Sequence, residues 1–218
     1  MSMSPQVETA GRAGQPTTSR LEAFSDGVLA IVMTLLVLDL RVPEADQADK
    51  GLAHYLFEQW PSYTAYVASF LVVGIIWLNH HAVLGLLARA DHGVRVLNLL
   101  LLAAVSVIPF PTALLADYTA ARHSAADQRV AVLVYGAVMI AMSVLFNLLW
   151  RRIRSHPELR HPGIALADLR TRHRRFNAGL ALYPVVTLLG LLDVRIFLAG
   201  LLALAFLYLL PTADSDTA

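Results

Sequence analysis

Ile31, Leu35 and Leu38 stand at i, i+4 and i+7 within the stretch RLEAFSDGVLAIVMTLLVLDL, residues 20–40. On a helix they line one face over about 10 Å of rise. Thr34 lies beside that face, three residues after Ile31. A single helix makes no pore, but several copies around an axis would present rings of Ile and Leu with a ring of threonine hydroxyls between them, an arrangement that gates ions by dewetting. The same spacing also fits an ordinary apolar packing stripe, and a mid-helix threonine can bond the carbonyl one turn back. On spacing alone both readings stand.

The foot of the same stretch carries Arg20, Glu22, Ser25 and Asp26. An ionisable group below the lipid headgroups is costly unless paired or wetted. Arg20, six residues before Asp26 and roughly 240° round the helix, is not a simple i, i+4 partner. Trp77 and His80, in GIIWLNHH, share a helix face at i, i+3. If their segment runs antiparallel to the first, they fall near the depth of Phe24 and Asp26. Ser25, Asp26 and His80, shielded by Trp77, are therefore a candidate polar cluster, serving either helix packing or ion contact. Asp26 and His80 also suit the relay of a proton-coupled transporter or a proton leak. Asp39 and Arg41, at the other end of the stretch, read as interfacial residues or a charged pore mouth.

Other chemistries find little support. There is no cysteine, hence no disulfide framework, thiolate metal site or cysteine nucleophile. His80 and His81 are adjacent and point about 100° apart on a helix, so they do not converge on one ion. The chain has no Gly-rich phosphate loop, no HExxH and no nucleophile elbow, and it reads as a non-enzyme.

The elements that must position these residues are membrane helices. Of 218 residues 57% are hydrophobic and 15% charged, and mean hydropathy is +0.59, well beyond an ordinary soluble domain. A bilayer core requires about 20 predominantly apolar residues in a helix. Six runs qualify: Leu21–Leu40, about Tyr63–Leu87, about Val94–Leu115, about Val130–Trp150, about Phe176–Leu192 and Ile196–Leu210. The last two are joined only by DVR, which predicts an antiparallel hairpin. Continuous rather than alternating apolarity, and the need to satisfy the backbone in lipid, select helices over strands. The expected fold is all-α and polytopic, with six transmembrane helices. Pro109 and Pro111 predict a kink late in the third span, and Trp60, Tyr63, Trp150 and Tyr183 fall where an aromatic belt would lie. Residues 1–19 read as a disordered cytoplasmic leader, 20–211 as the helical unit and 212–218 as a cytoplasmic tail. No internal repeat is visible, which argues against an inverted-repeat transporter.

Charge sets the orientation. With the N-terminus cytoplasmic, inside regions hold twelve of the Lys and Arg residues and outside loops five, so both termini are expected inside. Most of the weight is in RRIRSHPELRHPGIALADLRTRHRR, residues 151–175, read as a positive-inside anchor or an anionic-lipid contact. Net charge is only +1, and nothing points to nucleic acid.

Arg20, Phe24, Ser25 and Asp26 form an Arg-x-x-x-Phe-Ser-Asp pattern, and the first helix that carries it resembles that of the transmembrane protein 175 family of potassium channels. WLNHH and NLLLLAAVSVIPFPT are similar to the family's following segments. The resemblance implies a six-helix unit of the prokaryotic type, assembling as a homotetramer in the cell membrane, with the first helix of each subunit lining the pore. It implies potassium conduction without a TVGYG filter, and none is present; VYG at Val134–Gly136 lies within an apolar run. By distance from the motif, Ile31 corresponds to the hydrophobic constriction, Leu35 and Leu38 to the next layers outward, and Thr34 to a threonine implicated in selectivity. Arg20, Ser25, Asp26, Trp77 and His80 correspond to positions that tie the first two helices together. The implied partners are lipids and permeant monovalent cations, with potassium as the permeant ion and no other cofactor.

Overall fold

The computed structural model describes residues 18–42, 51–119, 123–164 and 179–209. Every regular element among them is helical: α1 (Thr18–Leu35), continued by a 3-10 turn at Leu36–Asp39, α2 (Leu52–Glu58), α3 (Trp60–Leu84), α4 (His92–Ser106), α5 (Pro109–Tyr118), α6 (Ala125–Ser155), a 3-10 turn at Pro157–Leu159, α7 (Gly179–Gly190) and α8 (Val194–Leu209). Four units are long and apolar enough to cross a membrane: Thr18–Asp39, Trp60–Leu84, His92–Tyr118 and Ala125–Ser155. The described parts of α7 and α8 are apolar but shorter, and residues 176–178 of the expected fifth run, with the tail 212–218, lie outside the described residues. Helix α1 is described from Thr18, and residues 1–17 of the expected leader lie outside the described residues.

The third span is broken where its prolines demand. Pro109 and Pro111 supply no N–H, so the carbonyls of Val105 and Val107 lose their usual donors four residues on. Tighter bonds recover them: Ile108 N–H donates to Val105 at 3.0 Å and Phe110 N–H to Val107 at 3.0 Å. Helices α4 and α5 are thus two halves of one kinked span. Helix starts carry side-chain caps: Asp91 accepts from Val94 N–H at 2.8 Å, and Ser124 accepts from Asp127 N–H at 3.1 Å.

Helix α3 is central, packing on α1, α5 and α8, while α4 packs on α1 and α6. The core is built on Trp150, Tyr135 and Phe197, with Leu29, Val32 and Leu36 contributed by the first span. Trp150 is fully buried, so it does not belong to an aromatic belt; packing against neighbouring helices has claimed its ring. Trp60 remains exposed. Tyr135, from the VYG triplet, points into the bundle and shares hydrogen bonds with Ser69, itself bonded to Thr112. Its role is to fasten α3, α5 and α6. The expected hairpin is present: α7 and α8 are joined at residues 191–193, and a side chain at Gly200 would collide with Val186, so glycine there permits close approach of the two helices.

At the end of the bundle where α6 terminates, Arg152 forms a bidentate pair with Asp91, its Nε 3.2 and 3.3 Å from the two carboxylate oxygens. Gly93 makes room for it, since a Cβ there would overlap the guanidinium. The chain after α6 folds back on the α3–α4 loop: Leu159 accepts from Ala88 N–H at 2.9 Å, His161 N–H donates to Leu86 at 3.0 Å, and Leu87 and Arg160 form an antiparallel bridge.

Candidate functional site

Helix α1 divides by face. Ser25, Leu29, Val32 and Leu36, at i, i+4, i+7 and i+11, are buried against α3 and α4. On the opposite side Phe24, Gly27, Ile31, Thr34, Leu35 and Leu38 form an exposed stripe, with Ala23 and Ala30 beside it. Ile31 is 59% and Leu38 73% exposed. Only 22% of the apolar window of this span is buried, against 39–44% for the other three. The first span therefore lies at the flank of the bundle, with a long apolar face that no other described residues cover.

Thr34 belongs to that face, and its Oγ1 donates to the Ile31 carbonyl at 2.8 Å. The hydroxyl hydrogen is thereby committed to the backbone. The residue is exposed, and its oxygen keeps acceptor capacity but has no hydrogen left to donate.

Three contacts fix the rotation of this face. Asn98 of α4 donates to Ser25 Oγ at 3.0 Å, and Ser25 in turn donates to the Leu21 carbonyl at 2.8 Å. His80 Nε2 lies 2.6 Å from Asn98 Oδ1. Because the Asn98 amide nitrogen is donating to Ser25, its oxygen is the acceptor and His80 Nε2 the donor, with His80 Nδ1 left without a partner. All three side chains are buried. Asp26 is not part of this group. It accepts from Trp77 Nε1 at 3.0 Å on the outer flank of the α1–α3 seam, where Glu22 also pairs with His81 Nδ1 at 2.8 Å and the rings of Trp77 and His81 lie 6.1 Å apart. The expected cluster of Ser25, Asp26 and His80, shielded by Trp77, is thus divided between two groups, Ser25 and His80 on Asn98 and Asp26 on Trp77. Successive helical residues diverge by about 100°, so Ser25 turns inward to Asn98 while Asp26 turns outward to Trp77. Arg20 is exposed and makes no hydrogen bond or ion pair with any described residue. Sequence names Glu22 and His81 but does not pair them, and it passes over Asn98, for which a lone asparagine inside NLLLLAAV is the available signal.

The far end of α1 is strapped as well. Arg41 pairs with Asp117 at 3.0 Å, and Gln59 Nε2 donates to the Arg41 carbonyl at 3.0 Å. Asp39, Arg41, Tyr55, Glu58 and Asp117 surround a polar recess of about 160 Å³. Among the described residues no three His, Asp or Glu side chains converge as a metal site.

A family model described as the endosomal/lysosomal potassium channel TMEM175 matches residues 20–109, the segment that holds every contact of the α1 foot. A potassium channel of Streptomyces collinus is 46% identical over 191 residues, covering 87% of this chain and 91% of that one. The crystal structure of a lysosomal potassium-selective channel TMEM175 homolog from Chamaesiphon minutus superposes with a TM-score of 0.77 at 36% identity, covering 88% of this chain and 95% of that one. The endosomal/lysosomal proton channel TMEM175 of Gallus gallus is 33% identical over 179 residues, which are 78% of this chain but 34% of that protein. With an exposed apolar first helix fastened to its neighbours through Ser25 and Asp26, and relatives of this identity along nearly its full length, the chain belongs to the TMEM175 family.

Proposed function

We propose that this chain is the subunit of a homotetrameric, potassium-selective channel of the cell membrane, with six spans, both termini cytoplasmic and α1 of each copy lining the pore. The observation that carries the reading is the open stripe of α1 from Phe24 to Leu38. A lipid-facing helix has no need of a glycine and a threonine in its outward face. Gly27 costs roughly 1 kcal/mol relative to alanine in a helix, and a side chain built there meets nothing within its own subunit. Both residues make sense where copies of α1 converge on an axis, with small residues permitting close approach.

In that assembly Ile31 is the tightest apolar ring, with Leu35 and Leu38 above it. An apolar ring excludes water until an ion sheds part of its hydration. Potassium, the larger and more weakly hydrated of the two common monovalent cations, sheds it at lower cost than sodium. The Thr34 oxygen compensates the ion next to the constriction, so selectivity needs no ring of backbone carbonyls of the TVGYG kind. The names of the Streptomyces and Chamaesiphon relatives support potassium as the permeant ion.

A second reading is a proton pathway, as the name of the Gallus gallus relative suggests. As a relay through Asp26 and His80 it is weakened by the separate partners of those two residues. Single-channel recording of the purified protein in planar bilayers, under opposed potassium and sodium gradients, tests the proposal. Discrete steps with a potassium-favouring reversal potential, and larger conductance in Ile31→Asn, are expected. Saturable flux without steps that follows the pH gradient would replace the channel with a proton-coupled carrier, and unchanged currents in Ile31→Asn would remove α1 from the pore.

A further inference from the structure

Arg160 poses a problem that the pore does not solve. Arg160 is half-buried; among the described residues its buried Nε and Nη1 have no hydrogen-bond partner and it forms no ion pair. A guanidinium held away from water without a counter-charge is costly. Yet it is firmly placed, because its backbone bridges Leu87 and its N–H donates to the Pro157 carbonyl at 3.2 Å. Among the described residues the acidic groups nearby are placed elsewhere: Asp91 is held by Arg152, and the Glu158 side chain is exposed, its backbone carbonyl accepting from Arg89 Nε at 3.0 Å.

Position identifies the missing partner. Helix α6 has 31 residues, about 46 Å of rise against a hydrocarbon core of about 30 Å, so its last turn emerges among the headgroups. Arg151 and Arg154 on that turn are exposed, as are Arg89 and Arg95 on the adjoining α3–α4 connection and helix start. The chain just beyond surrounds a recess of about 380 Å³ lined by Pro157, Arg160, His161, Pro162, Gly163 and Ile164. A guanidinium lining a recess, with two donors unpaired among the described residues and further arginines around it at headgroup depth, matches the tetrahedral oxygens of a phosphodiester.

We propose that Arg160 and the recess behind it bind the headgroup phosphate of an anionic phospholipid, with Arg89, Arg151 and Arg154 as an outer electrostatic rim. The site is separate from the α1 stripe, and its failure would leave the channel reading untouched. A free phosphate ion carries the same oxygens, but the headgroup depth of the recess favours the lipid.

The test is lipid retention by the full-length protein in vesicles of phosphatidylglycerol mixed with phosphatidylcholine, read by native mass spectrometry after gentle extraction. The wild type is expected to retain phosphatidylglycerol with several-fold preference, Arg160→Gln to fall to near parity, and Arg195→Gln, at the other end of the bundle, to behave as wild type. Arg160→Lys, which keeps the charge but loses the planar fork, is expected in between. Equal retention of the two lipids by the wild type would overturn the proposal even if Arg160→Gln does not fold. Full preference retained by a folded Arg160→Gln would do so too. In phosphatidylcholine vesicles, thermal protection by inorganic phosphate that Arg160→Gln abolishes would reassign the recess to a soluble anion and overturn the lipid.

Discussion

Asn98 donates its amide hydrogen to the Ser25 hydroxyl across 3.0 Å, joining α4 to the foot of α1 at a point where both side chains are buried. Ser25 lies on the inward face of α1 and Ile31 on the outward one, so this bond helps set the angle at which the apolar stripe is presented. Asn98→Leu removes the donor and also the acceptor of His80, whose other ring nitrogen already lacks a partner. A buried polar group left unmatched costs roughly 1–3 kcal/mol, and a lower melting temperature in detergent is expected. Replacing His80 as well, by Leu, should recover much of the loss, because the buried imidazole N–H is then gone and Ser25, short of one donor, still donates to the Leu21 carbonyl. Strictly additive losses in the double variant would disprove the coupling.

Thr34 offers a sharper separation of roles. Its hydroxyl hydrogen is already spent on the Ile31 carbonyl, so any contribution to permeation comes from the oxygen. Thr34→Val keeps the shape and removes the oxygen, and is expected to carry current with a severalfold smaller preference for potassium over sodium. Thr34→Ser should stay close to the wild type. Reversal potentials under bi-ionic conditions decide it: unaltered selectivity in Thr34→Val would mean that the hydroxyl only serves its own helix.

Much of this architecture could be read before any coordinates, and the parts that could not share a physical reason. That Ile31, Leu35 and Leu38 share one face follows from helical spacing, and the break at Pro109 from a missing N–H; both are local. The foot of α1 is not local. Spacing put Trp77 on a face with His80 at i, i+3, but the packing of α3 against α1 sets the Trp77 ring beside His81 and turns His80 inward to Asn98. The same 100° step that separates His80 from His81 separates Ser25 from Asp26, so one cluster was never open to both. Asn98 could be recognised as needing a partner, but not which one, because that depends on how three helices meet. Trp150 shows the converse: position near a span end suggested a belt, and tertiary packing buried it.

Gly27 tests the assembly without touching the fold. A side chain there meets open space within the subunit, so Gly27→Leu should leave the single chain folded, even gaining helix propensity. Between copies of α1 it would obstruct close approach. The expected result is loss of the tetramer on cross-linking and native mass spectrometry, with helical content by circular dichroism retained. A stable tetramer in Gly27→Leu would mean that this face looks at lipid.

The Asp91–Arg152 pair predicts how stability responds to acid. Asp91 lies in the α3–α4 connection, outside the spans, and the hydrogen bonds from Arg152 hold its carboxyl down at about 2, from an ordinary 3.8, with burial opposing and the Val94 N–H assisting. A depressed folded-state value means that the stabilisation is complete above about pH 4 and is lost as pH falls from there towards 2. Both partners are partly exposed, so solvent screening keeps the contribution small. Asp91→Asn isolates the charge, since asparagine still caps α4. Melting curves of wild type and Asp91→Asn should therefore differ by a constant amount near neutral pH and converge as pH drops below about 4. A gap that stays unchanged into that range would show that the carboxylate acts through the cap alone, and that Arg152 contributes only packing over Gly93.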